Sequence, residues 1–487
     1  MLATLLQNNT SIDESVKATH ILVLLPKLEK LPSKINLPGE YALKALLLRR
    51  EIPLCQISEL PVCANLQNGA LCAWAMVDLN KSIFEQHTHV RKALHLLLEE
   101  GPAQIHLSVH GNAHQKELLA KLAVYVSWIN GAVLPVRKLK SDRKPLESII
   151  LHGYEDPNHF LALHAQAEGN LLARGLTGLP PNELTPKTYR EQIEKLAINE
   201  NWKYEEYDLP ALRKLGAGAF IAVAQGSDSE DAAIVHLQRN NGKNTTKKVA
   251  LVGKGICFDT GGHNLKPARF MHGMHEDMNG SAVALGVLLA ATRADLPINI
   301  DCWLAIAQNH ISPRAYKQND VITALNGTTI EIIHTDAEGR LVLADTLTLA
   351  GKQKPDLIID FATLTGSLIT ALGSRYSGIF SNREHLIQKA IAVGKSCGER
   401  VCALPMDADY EAELESKIAD IKQCLLDSDF DHILAARFLN RFVNDVPWLH
   451  MDLSACNHKG GLGAVGTDIT GFGVAWAIAF LQKFLTS

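Results

Sequence analysis

The sequence predicts an α/β protein of two domains, a small N-terminal α/β domain and a larger C-terminal α/β domain with a mostly parallel central sheet flanked by helices. Three observations carry this. Short apolar runs are continuous rather than alternating, as expected of strands covered on both faces. Helix-like stretches separate many of them. A turn-rich break, Gly178-Leu179-Pro180-Pro181-Asn182, interrupts the pattern once. With 487 residues, 47% of them hydrophobic, the chain is long enough to bury a large core.

Residues 1–150 alternate apolar runs (Ile21 to Leu25, Gln104 to Val109, Ser148 to Leu151) with helix-like runs (Val90 to Glu100, Gln115 to Trp128). This is a small α/β unit without a charged constellation, expected to be structural, regulatory or involved in oligomerisation. Residues 151–180 form a linker helix and boundary, in which Phe160, Leu163, Ala167 and Leu171 share one face. Residues 181–487 form the larger domain. Thr185-Pro186 reads there as the N-cap and first residue of a helix. Strands are expected over Ala219 to Ala224, Ala232 to Leu237, Val249 to Val252, Ile298 to Ala307 and Leu357 to Phe361, and helices over Ser281 to Ala294 and Leu341 to Gly351. In sheets of this kind functional groups collect at the carboxyl ends of strands.

Composition narrows the function. A net charge of -4 gives no electrostatic case for nucleic acid or an anionic membrane as main partner. No run of about 18 apolar residues is present, so no segment should span a membrane. The nine cysteines include no Cys-x-x-Cys pair, and the N-terminus lacks the basic region of a signal peptide. Both features point to a reducing cytoplasm.

Chemistry concentrates in two stretches. From His334 to Ala350, Asp336, Glu338 and Arg340 lie between an apolar run (Ile330, Ile332, Ile333) and a helix-like run. On extended chain the two acids face one point, which calls for a cation there, since like charges at close range cannot both stay ionised. Taken alone, the stretch reads equally well as an acidic helix N-terminus. The second stretch follows the strand Val249 to Val252 and supplies Lys254, Asp259 and Lys266, with Asp277 beyond. Four carboxylates can hold two divalent ions if an oxygen ligand bridges them, so the larger domain is expected to carry a dinuclear metal site. A lysine can join such a site only as the neutral amine. A second lysine can stabilise an oxyanion, and an arginine can hold a small anion that works as a base. His263, His272, His275 and His334 lack His-x-x-x-His spacing and are read as pocket lining or surface. The Gly253-Lys254-Gly255 triplet lacks the rest of a phosphate loop.

Val252-Gly-Lys-Gly-Ile-Cys-Phe-Asp-Thr-Gly-Gly, Thr335-Asp-Ala-Glu-Gly-Arg-Leu and Asp360-Phe-Ala-Thr-Leu-Thr-Gly together resemble the leucyl aminopeptidase family, the cytosolic dinuclear-metal aminopeptidases. The match covers most of residues 160–487, including Pro181-Asn-Glu-Leu-Thr-Pro, Gly218-Ala-Phe and Gly471-Phe-Gly. The resemblance implies removal of N-terminal residues, Leu-like or otherwise apolar, from short peptides by a hydroxide activated by two metals, manganese or zinc. It implies that Asp259 and Glu338 bridge the metals, that Lys254 and Asp277 complete the tighter site, and that Asp336 completes the other. Lys266 would polarise the scissile carbonyl, and Arg340 would bind bicarbonate as a proton relay. Asn264, Met274, Thr363, Leu364 and Gly366 would line the substrate pocket. Short peptides with a free N-terminus, a homohexameric assembly and a cytoplasmic location go with the family. Because some members also bind DNA, the resemblance leaves open a regulatory DNA-binding role with secondary peptidase activity.

The chain departs from the family pattern in several places. His334 stands for an Asn, His275 for a Lys, Asn264 for a small hydroxyl residue, and Lys317-Gln-Asn-Asp320 for Arg-Pro-Gly-Asp. Ser454-Ala-Cys-Asn-His-Lys-Gly-Gly replaces an Ala-Gly-rich segment. None of these removes an expected ligand.

Overall fold

The structure, a computed structural model, describes residues 1–12, 17–32, 36–140, 144–242 and 247–486. The chain divides into two compact units. One comprises Met1–Leu171, Lys395–Gly398 and Lys459–Thr470, and the other comprises Leu172–Gly394, Glu399–His458 and Gly471–Ser487.

The first unit contains β1 (Thr4–Asn8), β2 (His20–Pro26), α1 (Glu40–Arg50), β3 (Val62–Asn65), β4 (Leu71–Val77), α2 (Ile83–Leu98), β5 (Gln104–Val109), α3 (Ala113–Gly131) and β6 (Ser148–His152), with α4 (Leu161–Thr177) following. Its sheet runs β1-β6-β5-β2-β4-β3 and is parallel except where β3 meets β4. Alternation along β2 and β4 sends Leu22, Leu24, Ala73 and Ala75 to a core with α2 and α3. Val23, Leu25, Trp74 and Met76 go to the opposite core with Leu43, Leu46 and Leu47 of α1.

The second unit runs α5 (Pro186–Asn199), β7 (Lys203–Asp208), α6 (Leu209–Leu215), α7 (Gly218–Ala224), β8 (Ala233–Arg239), β9 (Lys248–Asp259), α8 (Ala268–Met271), α9 (Asn279–Arg293) and β10 (Asn299–Asn309). Then come β11 (Val321–Thr323), β12 (Thr329–Glu331), α10 (Glu338–Lys352), β13 (Leu357–Ala362), α11 (Gly366–Leu372), β14 (Ser377–Ser381) and α12 (Glu384–Cys397). The last elements are β15 (Val401–Ala403), β16 (Ile421–Lys422), α13 (Asp431–Asn440), β17 (Trp448–Asp452) and α14 (Val474–Leu485). Eight strands form the sheet β15-β14-β17-β13-β9-β10-β8-β7, and β11, β12 and β16 form a small separate one. The central strands β17, β13, β9 and β10 are parallel to their neighbours in that group, so their carboxyl ends open on one edge. Thr185 caps α5 as its sequence suggests, accepting from the Thr188 N–H with Pro186 next in line.

The run Ala219 to Ala224, expected as a strand, is instead the helix α7. Its residues are apolar without interruption, so the run carries no periodicity to separate the two forms. Five of its seven residues are buried. The apolar run before His334 contributes only Ile330 and its neighbours to a three-residue strand in the small sheet.

Layering decides where the charged residues point. Ala250, Val252 and Ile256 of β9 and Trp303, Ala305 and Ala307 of β10 share a core with α7, α10 and α13. Gly253, on the alternate face of β9, instead meets α9, where a Cβ would lie 2.4 Å from Ser281 Cα. The helix α10 is buried from Glu338 to Gly351. Within it Asp345 accepts the backbone N–H of Phe220 and of Leu325, each at 2.8 Å, tying α10 to α7 and to the turn before β12.

Burial pushes the Asp345 carboxyl up to about 6 despite those N–H donors. A carboxyl raised in the fold contributes most below its ordinary range near 3.8, and the contribution is lost as pH rises through about 6. Asp345→Ala leaves the buried Phe220 N–H and the half-buried Leu325 N–H without this acceptor and is expected to destabilise the unit by about 3 kcal/mol. Urea unfolding should show a wider gap between wild type and variant near pH 5 than near pH 8.

Candidate active site

Strand β9 carries Lys254 in its middle and Asp259 at its end, five residues apart. In a regular strand these would face opposite sides. Between Ile256 and Asp259 the chain takes three steps where β10 takes two from Ala307 to Asn309, so one extra residue sits on β9. This bulge turns Asp259 to the face that already holds Lys254. Asn309, at the end of β10, fixes the result by donating to Asp259 Oδ1 at 2.8 Å. The Gly261 N–H donates to the same oxygen at 2.8 Å. Gly261 has φ 86°, and a Cβ there would lie 2.5 Å from Asn264 O and 2.9 Å from Asp336 Oδ1. Only glycine fits so tight a turn.

The second stretch reaches the same place by a different route. Glu338 is the first residue of α10 and Asp336 lies in the turn before it, so the two acids converge through a turn and not along extended chain. That turn is held from outside. Gln423 Oε1 accepts the N–H of Ile333 and of His334, each at 3.2 Å, while its Nε2 donates to Ala337 O at 2.9 Å. Asn264 and Thr335 exchange backbone-to-side-chain bonds of 2.8 Å in both directions, so Asn264 locks the turn as well as lining the cleft. Asn309 and Tyr316 both donate to Thr335 O.

Two lysines lie among four acids. Lys254 Nζ is 2.8 Å from Asp277 Oδ2 and 2.8 Å from Glu338 Oε1, and it donates to Thr363 O at 3.0 Å. Lys266 Nζ is 3.0 Å from Asp259 Oδ2 and 2.5 Å from Asp336 Oδ1. Burial alone would lower both ammonium groups, but the surrounding carboxylates outweigh it and hold them well above the usual lysine range. The acids respond in the opposite sense. Burial, together with the neighbouring carboxylates, pushes Asp277 up to about 8 and Asp336 up to about 7, and raises Glu338 too.

Asp277 sits in the short helical turn Met274–Met278 ahead of α9, where Thr363 Oγ1 donates to its Oδ1 at 2.7 Å. Leu364 N–H and Thr365 Oγ1 both donate to Asp452, the last residue of β17. Met274, Leu364 and Gly366 line the cleft, whose volume is about 850 Å³. Of the four histidines in these stretches His334 lines it, and the cleft walls do not include the other three. Arg340, in the first turn of α10, is 1% exposed and donates to Gln423 O at 3.0 Å and to Asp431 Oδ2 at 2.5 Å.

All seven charged residues singled out in the two stretches therefore meet in one cleft. The sequence offered no sign of Asn309, Gln423, Asp431 or Asp452, which lie far away in the chain and belong to no local motif. Their roles come from where the strands end and where α13 begins.

The donor set fits divalent cations. Asp259, Asp336 and Glu338 each place one carboxylate oxygen so that the three lie within 4.8 Å of one another. Glu338 Oε2 is buried and accepts no hydrogen bond. Three buried carboxylates and the half-buried Asp336 against two ammonium groups leave an excess of negative charge that hard cations with oxygen ligands would balance.

A family model described as the cytosol aminopeptidase family, catalytic domain, matches residues 171–478. Probable cytosol aminopeptidases of Stutzerimonas stutzeri (strain A1501) and Pseudomonas fluorescens (strain SBW25) are 44% and 43% identical over 309 and 312 residues. Each alignment covers 63% of this chain and 62% of the relative, so the chain matches less than two thirds of the length of these curated relatives. Among solved structures, the bottromycin maturation enzyme BotP in complex with Mn superposes with a TM-score of 0.81 at 28% identity, covering 96% of this chain and 99% of that one.

Gly339 separates Glu338 from Arg340, and a Cβ there would lie 2.5 Å from Lys254 Cε. Gly339→Ala should leave the fold intact by circular dichroism and displace the lysine. Calorimetric titration with manganese should then show affinity weakened by about tenfold or more.

Proposed function

The chain belongs to the cytosol aminopeptidase family, and we propose that it is a metal-dependent aminopeptidase that releases N-terminal residues, Leu-like or otherwise apolar, from short peptides. The observation that carries this reading is the convergence of Lys254, Asp259, Lys266, Asp277, Asp336 and Glu338 in one open cleft.

In this proposal Lys254, Asp259, Asp277, Asp336 and Glu338 would hold two divalent ions. The solved relative bound to Mn supports manganese as one occupant, and zinc suits the same donors once Lys254 is neutral. When bound, such ions make water a nucleophile near neutral pH and polarise a carbonyl. The chain's own groups do the rest. Lys266 stays cationic and donates to the oxygen of the scissile carbonyl as charge develops on it. Asp277, oriented by Thr363, faces the substrate's free amine, which explains a requirement for an unblocked N-terminus. Met274, Leu364 and Leu425 give the cleft an apolar wall, with the exposed Leu265, Phe270 and Ile369 at its lining as well. That wall supports the preference for apolar side chains.

The segment 181–487 would contain the whole of this machinery, leaving 1–150 a structural or regulatory part. A homohexamer and a cytoplasmic location accompany the reading. No helix among the described residues is long and apolar enough to cross a membrane.

Aminoacyl-p-nitroanilides and dipeptides, free and N-acetylated, test the proposal with protein stripped by chelator and reloaded with manganese or zinc. Reloaded protein should cleave only the free substrates. Lys266→Ala and Glu338→Ala should lower kcat by roughly a hundredfold or more. Equal cleavage of acetylated substrates, or no turnover when two ions are bound per chain, would overturn it.

A further inference from the structure

The environment of Arg340 does not fit the bicarbonate that the resemblance implies. Its Nη2 already carries a carboxylate, Asp431 Oδ2 at 2.5 Å, and its Nη1 donates to Gln423 O at 3.0 Å. Only Nε lacks a partner. Asp431 is the first residue of α13, where a helix N-terminus favours negative charge. The start of that helix is pinned at the cleft, since the His432 N–H donates to Ser367 Oγ at 3.1 Å and the His432 ring meets the same oxygen at 2.9 Å. Asp431 is therefore delivered to the guanidinium by the fold, at an effective concentration that a dissolved anion must compete against. A second anion brought to that guanidinium would also meet the carboxylate already there, a repulsion that grows in a buried setting. Arg340 is 1% exposed.

We propose that Asp431 is the permanent anion of Arg340, that it takes the place of soluble bicarbonate, and that this chain works without that cofactor. The proposal rests on the aminopeptidase reading for its kinetic consequence, but the occupancy of Arg340 stands apart from it. Asp431 acts here as a positioning residue through Arg340. Its Oδ1, a buried atom that accepts no hydrogen bond, remains an open acceptor on the same carboxylate.

Two measurements on the zinc-loaded protein test this. In the first, line broadening of 13C-labelled bicarbonate reports binding without any turnover. Wild type should give no broadening beyond that of Arg340→Met. Asp431→Ala and the closer isostere Asp431→Asn should give broadening that the double variants with Arg340→Met abolish. In the second, peptide hydrolysis is followed in carbon-dioxide-free buffer with and without added bicarbonate. Wild type should change by less than about twofold, whereas Asp431→Ala should fall by roughly tenfold or more and recover severalfold on addition of bicarbonate or formate. A merely structural role for Asp431 would not give rescue by a small anion. Arg340-dependent binding of bicarbonate to wild type, or severalfold activation of wild type by it, would overturn the proposal. Absence of hydrolysis by wild type would count against the aminopeptidase reading, and the binding measurement would still decide what Arg340 holds.

Discussion

Buried negative charge governs the larger unit. Asp259, Asp277 and Glu338 are almost wholly out of water and Asp336 lies with them, while only Lys254 and Lys266 stand against them. Isolated ionised carboxylates in such a setting are costly enough that proteins protonate them or give them partners. Much of the surrounding architecture can be understood as a response. Asn309 and the Gly261 N–H satisfy one oxygen of Asp259, Thr363 satisfies one of Asp277, and each ammonium group spans two acids. The side chains that remain charged are held in place by bonds that leave their free oxygens turned to one point.

Support for the site comes from a rigid part and a clamped part. Lys254 and Asp259 belong to a central strand, paired with β13 over Val249 to Gly253 and with β10 as far as Asp259. Asp336 belongs to a turn, and a turn needs outside help to keep a shape. Gln423 supplies it by bonding three backbone groups between Ile333 and Ala337. The same residue offers its own carbonyl to Arg340. One buried amide thus sets both the turn and the guanidinium beside it, which couples their positions.

Much of this was legible in the sequence, for identifiable reasons. Strands β9, β10 and β13 contain continuous apolar runs, and Lys254 and Asp259 come soon after the run Val249 to Val252. Glycines beside the charges marked places where backbones approach closely, as Gly261 and Gly339 do. The run Ala219 to Ala224 failed because six apolar residues, all but Ile221 buried, fit a strand and a helix equally. The acids at 336 and 338 do converge, but by a turn that residue spacing cannot distinguish from extended chain. The partners of Arg340 lie 83 and 91 residues away. They are brought near by β16 and α13, and local pattern contains nothing about such encounters.

The extra residue in β9 also limits how this chain can change. Strand side chains alternate with a period of two, so one residue added between Ile256 and Asp259, with the bulge kept, would send the acid into the layer occupied by α9. Removing one would restore the plain ladder and leave the acid on the face of Lys254, at the cost of the bulge itself. The segment can accept other side chains at Cys257 or Phe258, provided they suit the space around them, but not an added residue beside the bulge. An insertion there would cost more than most substitutions, although it changes no residue that bears charge.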